Sequence, residues 1–314
     1  MSCTPLRAAS CPSATLSLPA TCFPVGLYLS DPAARELDAA PRYLESFRRH
    51  LTANGLFVRM VNAFPFGEFH AARVKTAAYH PDWRSPLRLD HTRRCARILA
   101  ALMSEGASGS VTTVPGGWAP DWTELPADTR AALANVRAAA ETCRDLDEET
   151  GRTVRIALEP EPGCVWNLAD PAVEDALPPE IGWCLDTCHA AVDGVPLPEP
   201  GDSLWRCIYR VQLSAALEAS NTPEARTALL PFAEPAYLHQ TRGRRITAWD
   251  DLPDALDDLP RFPADAIIRS HFHVPLDWSG TAPLRRKRGA ESRKGSRRAD
   301  WGNGKAFESR KRFD

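Results

Sequence analysis

Glu159, Asp186, His189, His271 and His273 can each bind a divalent cation or move a proton, and each stands where an apolar run ends. The runs are IALEPEPGC (156–164), IGWCLDTCH (181–189) and AIIRSHFHVP (266–275). Carboxylate oxygen and neutral imidazole nitrogen are ordinary ligands of Zn²⁺ and Mn²⁺. His271 and His273, two residues apart on an extended chain, point the same way and make a stronger pair than either alone. Asp186 and His189 form D-x-x-H at a strand-to-loop junction. Asp186 alternatively caps the next helix, though its place at a strand end beside the Glu159 strand favours the ligand reading, and Cys188 with His189 offers a weaker thiolate alternative. Pro160 and Pro162 stiffen the turn that carries Glu159 and Glu161. Glu161, beyond the strand end, is the weaker candidate. Gln212 in VQLS reads either as a ligand-contacting amide or as a core glutamine. His239 in YLHQ reads as structural before it reads as substrate-binding. Asn62 and His70 lie in NAFPFGEFH, and Trp118 follows a Gly-Gly turn. With Gln212 and His239 they complete a candidate substrate-binding set of polar and aromatic groups.

The elements that must position these groups alternate between strand and helix. VGLYLS (25–30) is a strand. Asp31-Pro32 starts a helix reaching about residue 53, ended by Asn54-Gly55. Further strands are expected at 56–64, 108–115, 154–159, 181–186 and 207–214, with helices at 87–104 and 127–150. Helical stretches near 223–232 and 250–258 precede AIIRSHFHVP. This alternation predicts a parallel sheet covered by helices, and side-chain parity predicts a barrel. Asp186, Cys184, Gly182, Glu159 and Ala157 fall on an inner face. Leu185, Trp183, Ile181, Leu158 and Ile156 fall on an outer one.

At 314 residues the chain is long enough for one such barrel. The formal charge of −2 is unevenly spread: 285–314 hold 12 Lys and Arg against 4 Asp and Glu, leaving 26 against 36 in the rest. An acidic body does not suit nucleic acid. Nine scattered cysteines without a CxxC pair suggest reduced thiols in the cytoplasm, and no apolar run reaches membrane-spanning length. The chain is read as a poorly ordered segment (1–23), a barrel domain (24–284) and a basic disordered tail (285–314), whose composition reads first as a GC-rich gene in another frame and alternatively as a native basic tail for nucleic acid or anionic surfaces.

NAFPFGEFH, VKTAAYHPDW, GSVTTVPGGW, ALEPEPGC, CLDTCHAAV, VQLSAAL, YLHQ and RSHFHVPL, in that order, resemble the EboE-type metabolite traffic proteins. These belong to the xylose-isomerase-like TIM-barrel superfamily of sugar phosphate isomerases, epimerases and metal-dependent endonucleases. The resemblance spans about 25–276. It implies a (β/α)8-type barrel, incomplete here at its first and last strands, with a divalent metal: zinc, manganese or magnesium. Glu159 and Asp186 match the superfamily's acidic ligands, His189 the D-x-x-H partner, and His271 and His273 the two further ligands of the endonuclease branch. Gln212 stands where a histidine is usual. Glu159 and His189 are the catalytic candidates. The expected activity is isomerisation or epimerisation of a small polyol- or sugar-like metabolite in an export pathway. The alternatives are a non-catalytic metabolite carrier and, with less support, an abasic-site endonuclease.

Overall fold

The computed structural model describes residues 22–67, 74–168, 170, 173–244 and 246–289. Its first half is a parallel sheet in which each strand neighbours the next: β1 (Phe23–Tyr28), β2 (Leu56–Asn62), β3 (Ser108–Thr113), β4 (Thr153–Leu158), β5 (Ile181–Asp186) and β6 (Ile208–Gln212). Helices α1 (Asp31–Asp38), α2 (Pro41–Ala53), α3 (Pro86–Leu102), α4 (Leu125–Thr150) and α5 (Thr187–Asp193) make the crossovers. The single helix expected over 31–53 is two, because Pro41 interrupts the hydrogen-bond ladder and starts a new first turn. Ser85 caps α3 through Leu87 N, and Gly151 ends α4 in the left-handed conformation (φ 63°).

The buried stripe of α4 (Ala132, Leu133, Val136, Ala139, Ala140, Cys143) follows helical spacing and covers the outer face of the sheet. There Ile156, Leu158, Ile181, Trp183 and Leu185 join the main core. The opposite face carries a cross-strand row of Tyr28, Asn62, Thr112, Ala157 and Gly182, directly paired in register. Beyond it Cys184 pairs with Arg210 and Asp186 with Gln212. The sheet curls into half a barrel, bringing Arg210 Nη1 on β6 to 3.3 Å from Thr112 Oγ1 on β3.

The chain does not continue as parallel β/α units after β6. It turns directly into β7 (Ala215–Ser220), which starts an antiparallel sheet with β8 (Thr241–Gly243), β9 (Ala248–Trp249), β10 (Ile267–Val274) and β11 (Arg285–Lys287), in the order β11-β7-β10-β8-β9. AIIRSHFHVP is therefore the centre of a second, antiparallel sheet, not a parallel barrel strand. The described residues form a half-barrel plus this sheet; the barrel was expected to be incomplete only at its first and last strands, whereas its parallel run here stops at β6. The basic segment expected to be disordered from residue 285 donates Arg285–Lys287 to the free edge of β7. One face of the second sheet buries Leu217, Ala219 and Ile268 against α6 (Pro223–Leu229) and α7 (Leu252–Asp258). On the other face, Ala216 packs on Cys188, Ala191 and Val192 of α5. Helix α5 thus lies between the two sheets and holds them in register at the site. No helix among the described residues is long and apolar enough to cross a membrane.

Candidate metal centre and cleft

Three imidazoles converge where α5 meets β10. His189 Nε2 lies 3.0 Å from His271 Nε2, which lies 3.0 Å from His273 Nε2. Their far nitrogens fix two of the tautomers. His189 Nδ1 is 2.9 Å from the Pro160 carbonyl, which only accepts, so Nδ1 carries the proton and Nε2 presents a lone pair. His271 Nδ1 is 2.6 Å from Gln240 Oε1, also an acceptor. Two lone pairs 3.0 Å apart repel unless a cation lies between them. A single proton satisfies one of the two contacts, whereas a cation shared between the nitrogens relieves the repulsion. Zn–N bonds of about 2.0–2.1 Å set tetrahedral nitrogens about 3.3 Å apart, close to the observed spacing.

Asp186, 2% exposed, supplies a fourth donor. Its Oδ1 caps α5, accepting from Cys188 N (2.7 Å) and His189 N (3.1 Å). Its Oδ2 is buried without a hydrogen-bond partner and lies 3.7 Å from His273 Nδ1. Ligand atoms of Asp186, His189 and His273 all lie within 4.8 Å of one another, as do those of Glu161, His189 and His271. The buried orphaned oxygen and the opposed lone pairs both fit a divalent cation. Burial disfavours an ionised Asp186, but the facing imidazoles of His189 and His273 and the His189 backbone N–H outweigh it and hold its pKa below the ordinary value. Cys188 also reaches His271 and His273, but its Sγ donates to the Phe272 carbonyl at 3.3 Å and burial pushes its thiol up. It is the poorer ligand.

The two glutamates of the EPEPG turn are separated in role. Glu159 is 6% exposed and belongs to none of the ligand groups above. Gln212 Nε2 donates to its Oε1, and its Oε2 is buried without a partner. Burial pushes its carboxyl up to about 7, against the opposing charge of His189. Glu161 is buried too, but hydrogen bonding to His271 overcomes the cost and pulls it down to about 2. Its Oε1 accepts from Tyr79 OH (2.7 Å) and Gln240 Nε2 (3.1 Å) and lies 3.3 Å from His271 Nδ1.

A cleft of about 490 Å³ opens over these groups. Glu159, Glu161, His189, Gln212, His271 and His273 form its polar floor, and Tyr28, Asn62, Phe64, Tyr79, Tyr237 and Leu238 form its walls. Asn62 Oδ1 accepts from Phe64 N at 2.9 Å, which leaves the amide NH₂ for a ligand. Lys75 lines the cleft but is committed: its Nζ donates to Glu234 O, Tyr237 O and Asp251 Oδ2 at 2.6–3.2 Å. His239 also lines it, with both nitrogens engaged, Nε2 by Glu234 (2.9 Å) and Nδ1 by the His271 carbonyl (3.0 Å). Its ring stacks on Phe272 at 3.8 Å, so it builds the wall and offers a ligand no free nitrogen.

Trp118, expected to touch substrate, does not line the cleft. It is 4% exposed and stacked behind Tyr79 at 4.8 Å, because its indole fills the space left by Gly163. His70 lies outside the described residues. Sequence reasoning missed Tyr79, Gln240 and Ser214, whose Oγ is 2.9 Å from His273 Nδ1. VKTAAYHPDW and YLHQ drew attention to the right loops, but nothing in their spacing marks Tyr79 or Gln240.

The class defined by these observations is an α/β protein with a curled parallel half-barrel and a histidine-rich cleft at the carboxyl ends of its strands. No family model and no curated protein matches the chain. Among solved structures it is similar to a xylose isomerase domain protein from Planctomyces limnophilus (11% identity, TM-score 0.42, 63% of this chain and 75% of that one). It is also similar to a D-psicose 3-epimerase determined in the presence of D-fructose (14%, 0.41, 68% and 72%) and to a D-tagatose 3-epimerase-like protein (17%, 0.40, 60% and 67%). Likenesses this loose assign neither family nor activity; the side chains must do so.

Proposed function

We propose that this protein is a metal-dependent isomerase or epimerase of a small sugar- or polyol-like metabolite. The observation that carries the reading is the run of three imidazole Nε2 contacts at the cleft floor, with Glu159, whose Oε2 is orphaned, in the same lining and the orphaned Asp186 Oδ2 in the adjoining pocket that shares His189. His189, His271, His273 and Asp186 would hold the metal, which when bound polarises a carbonyl or hydroxyl oxygen of the substrate. Glu159 is the proton-transfer group. Burial poises its carboxyl near neutrality, and Gln212 orients it by occupying the other oxygen. Glu161, held ionised beside His271, serves the imidazole cluster. Two neighbouring carboxylates pushed in opposite directions divide the work. Asn62 NH₂ donates to a substrate hydroxyl, while Tyr28 and Phe64 cover its carbon face. The eight-motif resemblance supports a setting in metabolite traffic and export.

The test is exchange of the proton next to the carbonyl in heavy water, followed by NMR over ketopentoses, ketohexoses and cyclic polyol ketones, with zinc-, manganese- or magnesium-loaded protein. The account expects deuterium incorporation in at least one substrate, lost in Glu159→Gln while metal content stays. Tight ligand binding without exchange would replace catalysis by the carrier reading.

A further inference from the structure

The outer side of the imidazole cluster shows how one of its members is oriented. Gln240 is fully buried, and its side-chain amide has four contacts. Its Nε2 lies 2.6 Å from Tyr79 OH, 2.9 Å from the Pro162 carbonyl and 3.1 Å from Glu161 Oε1. Its Oε1 lies 2.6 Å from His271 Nδ1. The Pro162 carbonyl and the Glu161 carboxylate only accept. A flipped amide would set Oε1 against both, so the amide has one acceptable orientation. Tyr79 reinforces it, donating to Glu161 at 2.7 Å and accepting from Gln240. The Gln240 backbone carbonyl adds a bond from His271 N at 2.9 Å. With Oε1 pinned toward the ring, His271 is an Nδ1–H tautomer, and its Nε2 lone pair faces His189 and His273.

We propose that Gln240, locked by Tyr79, Glu161 and Pro162, is the positioning residue that fixes the tautomer of His271 and so makes its Nε2 a metal ligand. This rests on the metal reading given above, but it is stated for the protein before any metal arrives. The four groups come from four separate chain segments around 79, 161, 240 and 271, and converge on one nitrogen. A metal-bound imidazole owes its ring orientation and basicity to such a partner, and loss of the partner weakens metal binding about 10- to 100-fold.

The experiment has two arms. Long-range ¹H–¹⁵N NMR of metal-free wild-type protein, assigned with a His271→Asn control, reads the tautomer directly: the account expects a protonated Nδ1. A chelator-competition titration with Zn²⁺ alone then compares wild type, Gln240→Met and Tyr79→Phe. Gln240→Met keeps the volume but removes both polar ends. It should bind zinc about 10- to 100-fold more weakly, and its His271, left at Nδ1 with only the longer Glu161 contact of 3.3 Å, should show a smaller Nδ1–H population than wild type in the metal-free state. Tyr79→Phe, which leaves Gln240 two of its three acceptors, should lose less. An Nε2–H tautomer in wild type overturns the proposal, as does Gln240→Met with wild-type zinc affinity and tautomer. If Gln240→Met does not fold, the wild-type tautomer and Tyr79→Phe still decide. Wild-type protein that binds no zinc yet shows Nδ1–H would sink the metal reading while leaving the orienting role of Gln240 intact.

Discussion

Asp186 divides its two oxygens between structure and chemistry. Oδ1 caps α5, whereas Oδ2 is buried with nothing to bond. Leaving a buried polar atom unpaired costs about 1–3 kcal/mol, a cost recovered only if a ligand or cation completes the group. Asp186→Asn retains the capping oxygen, so its unfolding free energy should change by less than about 1 kcal/mol. It loses the charge at Oδ2, so zinc affinity should fall at least about tenfold. Denaturant unfolding of metal-free protein and chelator competition measure the two separately, and an undiminished affinity would remove Asp186 from the ligand set. Glu159 was expected to be a ligand as well as a catalyst. In the structure its Oε1 accepts from Gln212, a partner that neither the EPEPG turn nor the VQLS strand reveals when read alone.

At the scale of elements, the turn after β4 is where packing and chemistry meet. Gly163 has φ 89°, and a Cβ there would sit 2.4 Å from the Trp118 ring. Gly163→Ala should therefore cost about 1–3 kcal/mol, combining backbone strain with overpacking. It should also displace Trp118, the Tyr79 stacked on it and thus the Glu161 network, lowering zinc affinity as well as thermal stability. A variant as stable as wild type would show the turn to be soft. The parallel half of the fold was legible from its apolar runs, and the inner and outer faces of β4 and β5 from simple parity. The antiparallel half was not. β7 is AALEAS, written in helix formers, and it is a strand because β10 and β11 pair with it on either side. β8 and β9 are too short to show a period. Spacing marked His271 and His273 correctly as a pair, but the strand that carries them runs antiparallel to its neighbours. Tyr79 and Gln240 stood no chance of recognition, because 161 positions separate them and only the tertiary fold joins them.

On the scale of the whole molecule, buried ionisable groups make stability depend on pH in opposing ways. His91 is fully buried, its ring edge-on to Phe66 at 5.3 Å and in contact with Cys95. Burial, helped by the positive Arg88, Arg94 and Arg35, pushes its pKa down to about 3 despite Asp31 at 3.6 Å, so it is neutral in the folded protein. An unfolded histidine titrates near about 6.5, so the stability that depends on a neutral His91 is lost as pH falls from about 6.5 toward 3. Glu159 acts in the opposite sense. Its folded value of about 7 lies above the unfolded 4.5, so stability rises as pH falls between those values. The lowered Glu161 and Asp186 add losses below the ordinary carboxylate range. Burial also lowers His239 and His273, which act with His91, while the Glu161 hydrogen bond outweighs burial and raises His271, which acts with Glu159, so metal-free wild type should change less between about pH 7 and 4.5 than below. Glu159→Gln removes the compensating group and should start to lose stability near about pH 6.5, by at most about 1.4 kcal/mol per pH unit per proton. Unfolding midpoints across pH measure both curves, and identical curves would contradict the opposed roles.

The central claim is that His189, His271, His273 and Asp186 form one metal centre. Elemental analysis of protein dialysed against limiting zinc, in wild type and in His271→Asn, tests it most directly. One tightly held ion per wild-type chain, lost in the variant, is the predicted result. Wild-type protein that emerges from dialysis without bound metal, or a variant that retains a full equivalent, would contradict it.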